Sequence, residues 1–295
     1  MRERSKFLPF LVAVGLALTP LPAFSAEFEG FSRENLTVGL EINYLKKGLD
    51  ATAAFSGSAK LPTSGMFAED VEDSVGNVKL TQVLTRVSYQ INDHFVPSVL
   101  LGSSGLSFSD RYRLNLSSLL STDTSVSYSD SISPAYGFGV EGVLMELPKE
   151  MKLNYGMRML TFKSSDSTAV PPDEISSLLA PLNPIEEVSF STDVTFREWD
   201  FSFGVSREYQ YDNNISITPQ LGYRHSSISM KAATDITYSP GMPNFLKGSV
   251  DRSFGGSLSS VTLGVMGRYQ EFIDATILLA VGDEMGITLA VSYKF

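Results

Sequence analysis

Residues 286–295 read GITLAVSYKF, and their alternation decides the fold. Ile287, Leu289, Val291, Tyr293 and Phe295 fall on one face of an extended chain, with Thr288, Ala290, Ser292 and Lys294 on the other. A repeat of two is the signature of a β-strand with one apolar face. At the edge of a soluble sheet such a strand would offer a long, flat, apolar edge to any passing chain, which is an aggregation hazard.

The same period recurs upstream in pieces of about ten residues, the length a tilted strand needs to cross a bilayer. The apolar phases are Leu36 to Tyr44, Val83 to Ile91, a less regular piece within Phe95 to Phe108, Tyr136 to Leu144 and Leu153 to Met159. They continue with Trp199 to Val205, Ile215 to Tyr223, Val261 to Tyr269, Ala275 to Val281 and the terminal strand. Between the pieces, short turns (Asn92-Asp93-His94, Pro148-Lys149-Glu150, Gln210 to Asn213, Gln270 to Asp274) alternate with long polar connections at Lys46 to Asn77, Ser109 to Pro134, Ser164 to Ser189 and Lys231 to Ser257. A fifth outer connection, near Asp283-Glu284-Met285, is short. Short periplasmic turns alternating with long extracellular loops are the pattern of a transmembrane barrel. Tyr44, Tyr89, Tyr136, Tyr155, Trp199, Tyr209, Tyr223, Tyr269 and Tyr293 fall near strand ends, where interfacial girdles lie.

The terminal strand resembles the carboxy-terminal strand of Gram-negative outer-membrane β-barrel proteins. In that family the last aromatic and the alternating apolar positions are the recognition signal for barrel assembly, a role the resemblance gives to Tyr293 and Phe295. It implies an all-β, antiparallel up-and-down transmembrane barrel of ten strands, with outer-membrane lipid, lipopolysaccharide and the barrel assembly machinery as partners.

The other end fits export. Arg2, Arg4 and Lys6 precede an apolar run from Phe7 to Leu18, and Ala23-Phe24-Ser25 presents small residues for cleavage before Ala26. The run is too short for a membrane-spanning helix and is followed by Pro20 and Pro22. The expected organisation is a signal peptide at 1–25 and a barrel domain at 26–295.

Composition narrows the chemistry. Cysteine is absent and histidine occurs twice, which excludes a disulfide framework, thiolate zinc and a thiol nucleophile. A net charge of −10 argues against a nucleic-acid partner. Mean hydropathy near zero (+0.03) is the expected average of a lipid-facing coat and a polar lining. No cofactor is expected.

If one phase faces lipid, the other lines the lumen, and Glu41, Arg86, Glu141, Arg158, Asp200, Arg224 and Arg268 all occupy it. Unpaired charges in a narrow interior are costly, so the expectation is a mutually neutralised layer, with strand neighbours pairing Glu41 with Arg86 and Glu141 with Arg158. The alternative is that these groups solvate a wet lumen. Gly39, Gly102, Gly137, Gly139, Gly156, Gly204, Gly222 and Gly264 share the inward phase and leave room for a narrow water path. Ten strands lie near the filled end of barrel sizes, so a large general porin is not expected. Pro219 falls inside the seventh strand, where a bulge or local distortion is expected because a barrel has no edge to hide a missing N–H; Pro97 lies near a turn.

Two catalytic families bear comparison. The chain is similar to the omptin proteases in size and layout, but their Asp-x-His is Tyr223-Arg224-His225 here, and Asp110 stands alone where an acidic pair is needed. His225-Ser226-Ser227 also resembles the His-x-Ser pair of lipid A deacylases, in which imidazole activates a hydroxyl; the Asn that follows in that family is Ile228. Enzymatic activity is therefore not expected, with a hydrolase using His225 and Ser227 as the remote alternative. His94 reads as a turn residue. Glu69-Asp70-Val71-Glu72-Asp73 in the first loop is either a solvated acidic cluster or a divalent-cation contact lacking calcium-loop spacing, and Asp173 to Ala180 is either a short capped helix or irregular loop. The expected role is a narrow channel or ligand-contacting barrel for small solutes, or else a non-conducting structural or surface-interaction barrel.

Overall fold

The computed structural model describes residues 32–48, 54–55, 78–117, 120–170, 188–238 and 248–295. The signal peptide, the acidic cluster of the first loop and the Asp173 to Ala180 segment lie outside the described residues. Ten strands form the wall: β1 (Leu36–Lys47), β2 (Val78–Tyr89), β3 (Val96–Ser117), β4 (Leu120–Leu147), β5 (Met151–Val170), β6 (Val188–Arg207), β7 (Ile215–Tyr238), β8 (Gly248–Tyr269), β9 (Ile273–Gly282) and β10 (Glu284–Lys294). Each pairs antiparallel with the next, and β1 pairs with β10 from Thr37↔Lys294 to Lys47↔Glu284. The sheet is thus a closed up-and-down barrel with no free lateral edge around its ring, the only sheet form that satisfies every backbone group within a bilayer.

Its apolar coat points outward. Leu101, Tyr136, Leu263, Ile277 and Val291 are about half exposed, whereas alternate residues on the same strands are inward and for the most part buried or half-buried. This inversion of the soluble pattern makes the molecule a multi-pass outer-membrane barrel, with both ends of the wall and the short turns on its periplasmic side. At the terminus, Phe295 N–H donates to the Leu36 carbonyl (3.1 Å), Tyr293 stacks on Phe272 (centroids 6.4 Å apart) and meets Phe295 edge to face.

The wall is uneven in height. Strands β9, β10, β1 and β2 run 10 to 12 residues, while β3 to β8 run 20 to 28. The sequence pattern places long loops at Ser109 to Pro134, Ser164 to Ser189 and Lys231 to Ser257. The structure instead continues the strands through nearly all of the first stretch, into both ends of the second and through most of the third, as paired ribbons beyond the bilayer. The physical reason is that period-two hydrophobicity marks a strand only where one face meets lipid; above the membrane both faces can be polar, and the Ser- and Thr-rich ribbons lose the signal without losing the pairing. On the short side, β9 turns into β10 at Asp283 alone, after Gly282 with φ of +148°, a conformation essentially reserved for glycine. Asp283 is pinned to the wall, its N–H donating to the Ser259 carbonyl and its carboxylate accepting from Ser259 N–H, both at 3.0 Å. Ala54–Phe55 of the first loop adds a short pairing to β8 at Arg252 and Ser253.

Pro219 produces no bulge. Its register with Val265 on β8 is continuous, but on the β6 side the ladder stops at Ser206↔Gln220 and resumes at Tyr209↔Ile217. The missing N–H interrupts one seam and leaves the register intact. Register shifts occur instead between Ser104 and Leu106 of β3 and between Val143 and Met145 of β4.

Candidate functional site: the charged layer across the lumen

Inward residues sort by height. On β5, Asn154 and Gly156 lie nearest the periplasmic end, then Arg158, then Leu160 and Phe162; β6 descends through Phe196, Glu198, Asp200, Ser202 and Gly204. β7 follows the same order, from Thr218 and Gly222 through Arg224 to Ile228 and Met230, so this side of the lumen has three zones: small polar residues below, charge at the middle, apolar side chains above.

The middle zone is one connected network. Asp200 accepts from Arg158 Nε (3.0 Å) and Nη2 (2.8 Å) on one side and from Arg224 Nε (3.1 Å) and Nη2 (2.7 Å) on the other, with Ser226 Oγ as a further donor. Arg158 Nη1 reaches Glu41 Oε1 at 2.7 Å, which also accepts from Asn43 Nδ2 at 2.7 Å. Arg224 Nη1 pairs with Glu284 Oε1 at 2.7 Å, and Lys47 Nζ bonds both Glu198 and Glu284. Asn43 completes the circuit, accepting from Thr288 Oγ1 (2.6 Å) and donating to Gln82 Oε1 (3.2 Å). In a ring of ten β6 stands opposite β1 and β5 is next to β6, so Lys47 to Glu198 and Glu41 to Arg158 are ties across the lumen. Lys47, Glu198 and Glu284 are essentially inaccessible.

Strand-neighbour reasoning assigned the partners wrongly. Glu41 pairs with Arg158 rather than Arg86, and Glu141 with Arg86, at 2.5 Å, rather than Arg158. The reason is reach: in a narrow barrel a guanidinium can span to a strand that is not its neighbour, so height decides the partner more than adjacency. Arg86 and Glu141 keep side-chain exposures of 29% and 46%, against 11% for Glu41 and 7% for Asp200. Arg268 does not join the layer. It sits near the periplasmic rim against Asp274 (2.8 Å), with Glu208 at 3.8 Å.

Sequence reading missed Lys47, Glu198 and Glu284. Each lies on the inward phase of its strand, Lys47 six residues past Glu41 and Glu198 two before Asp200, but Lys47 and Glu198 fall beyond the regular apolar alternation and Glu284 within a turn-like Asp-Glu-Met. Also missed is the apolar filling above the layer. Leu80, Leu84, Leu160, Phe196 and Met230 have no exposure, and Phe162 stacks on Phe196 with centroids 4.9 Å apart. Gly102 and Gly137 make this packing possible: a Cβ on either would come within about 2.2 Å of the Val83 or the Met159 carbonyl oxygen, respectively. The hydrophobic content is therefore a lipid coat and also a core.

His225 and Ser227 share the outward face of β7, but the imidazole Nδ1 contacts Ser259 Oγ at 3.3 Å, and Tyr223 OH meets the same hydroxyl at 2.7 Å. Asp110 lies on the β3 ribbon opposite Val126. His94 is in the first periplasmic turn, its Nδ1 2.6 Å from the Val143 carbonyl. Among the described residues there is no cluster of three or more acidic or histidine side chains suited to a metal ion.

No protein-family model matches the chain, and no curated protein matches it. Solved structures similar to it include outer-membrane barrels. The β domain of the Bordetella autotransporter BrkA aligns at 10% identity over 88% of this chain and 99% of that one, with a TM-score of 0.44. OprG from Pseudomonas aeruginosa aligns at 12% over 88% and 95%, TM-score 0.36, and the outer membrane protease OmpT from Escherichia coli at 9% over 91% and 99%, TM-score 0.38.

Proposed function

We propose that this barrel is closed to solute flow and serves to hold its tall β3 to β8 ribbon above the membrane as a surface for contact. The observation that carries this is the pair of obstructions in series: a charged network tied across the lumen, and above it an apolar core with residues of zero exposure. A water column through both would have to break the buried ion pairs and open the packed core. Charges that satisfy one another in a dry, packed interior leave no connected space for water, which opposes a pore that is open at rest.

A second reading, a narrow solute path, is favoured by one feature. The periplasmic half is lined with Ser88, Ser98, Asn154, Ser202 and several glycines, and Arg86 and Glu141 at its roof remain partly accessible. Planar-bilayer recording separates the two. The closed-barrel reading expects no discrete openings from the wild-type protein, and none when Leu160 and Phe196 are both replaced by alanine, because the charged network still crosses the lumen below them. Stable wild-type openings whose conductance changes in Glu141→Gln establish the path instead.

A further inference from the structure

We infer that the outer wall carries a specific site for one periplasmic-leaflet phospholipid, with the phosphate on Arg207 and an acyl chain in the groove beside it. A shallow, open groove of about 650 Å³ lies on the lipid side of β6 to β9, walled by Val205, Leu221, Leu263, Val265, Ile277 and Leu279, all outward-facing. Pro219 lines it at the point where the β6–β7 ladder is interrupted, opposite Arg207.

Arg207 lines the same groove, at the last residue of β6, which is the periplasmic end of the wall. Its guanidinium lies over the Tyr209 ring, 4.9 Å from the centroid, and its Nε is shielded from solvent with no hydrogen-bond partner. Among the described residues no carboxylate pairs with it, unlike Arg86, Arg158, Arg224 and Arg268. A cation facing lipid at headgroup depth, held on an aromatic ring and without a protein anion, is matched by a phosphodiester, which guanidinium binds through two parallel N–H donors. The adjoining apolar groove takes the chain that the same molecule supplies. Lipopolysaccharide belongs to the opposite leaflet and lies a bilayer half away from Arg207.

The test is native mass spectrometry of the full barrel extracted in mild detergent and offered phosphatidylglycerol or, separately, lipopolysaccharide. The wild-type protein is expected to retain one phosphatidylglycerol. Arg207→Gln should reduce that retention about tenfold, the equivalent of about 1.4 kcal/mol, and Val265→Trp should do the same by filling the groove. Lys149→Gln, which removes a cation from a neighbouring periplasmic turn outside the groove, should leave it unchanged. Folding of each variant is checked by the mobility difference between unboiled and boiled samples, and if Val265→Trp fails that check, Arg207→Gln and Lys149→Gln decide. Equal retention in wild type and Arg207→Gln overturns the site, as does equal loss in Lys149→Gln or displacement of phosphatidylglycerol by lipopolysaccharide.

Discussion

The two halves of one lumen are built on opposite principles. Above the charged layer, inward positions are mainly Leu, Phe, Ile and Met and are buried; below it they are mainly Ser, Thr, Asn and Gly, with hydrogen bonds such as Asn154 Nδ2 to Ser206 Oγ at 2.7 Å. The backbone is the same antiparallel ladder in both. What differs is how each half meets water: the lower half keeps polar groups that tolerate it, while the upper half excludes it and takes its stability from burial. The charged layer is the boundary, polar enough to face one and dry enough to abut the other.

That contrast can be broken in a graded series. The largest effect is expected at the boundary. Asp200→Ala leaves Arg158 and Arg224 without their shared carboxylate, and should lower stability by about 3–5 kcal/mol, read as a fall in the urea midpoint of the folded barrel in lipid vesicles. Phe196→Ala, just above, opens a cavity against Phe162 and should cost about 3 kcal/mol in the same titration, with no change in the charged network. Arg86→Gln removes an ion pair that is partly solvated on both sides, so its cost should be no more than about 1 kcal/mol. Ser202→Ala, in the lower half, should shift the midpoint by no more than about 0.5 kcal/mol. A loss at Ser202 as large as that at Phe196 would show the two halves to be equally packed and dissolve the distinction.

The legibility of the sequence follows the same boundary. Strand positions and the outward face were readable wherever lipid imposes alternation, as in Leu36 to Tyr44 or Ile287 to Phe295. Reading failed where that contrast disappears. In Met157 to Phe162 (MRMLTF), Met157, Met159 and Thr161 face outward while Leu160 and Phe162 face inward, so apolar residues fall on both phases and the core is hidden within the coat. In the ribbons beyond the membrane, polar residues fall on both phases and strands pass for loops. The site was half legible for a related reason: phase places a charge in the lumen, but its partner depends on height and reach, which one strand's pattern does not contain. Lys47 and Glu284 illustrate this, since their opposition exists only through the β1–β10 register.

That seam has a consequence for how the molecule comes together. Strands β1 and β10 lie about 250 residues apart in the chain and make the contact of greatest sequence separation, so ring closure carries the heaviest loop-entropy cost of any pairing. Hydropathy alone leaves the closing register degenerate, because a slip of two residues returns every side chain to its proper face. The buried ions remove the degeneracy. Lys47 stands opposite Glu284 in one alignment only, and from there it also meets Glu198 on the far wall; in a slipped ring all three would be left without those partners in a dry interior. The lumen network thus acts as a checksum on assembly, telling a correctly zipped cylinder from its near misses.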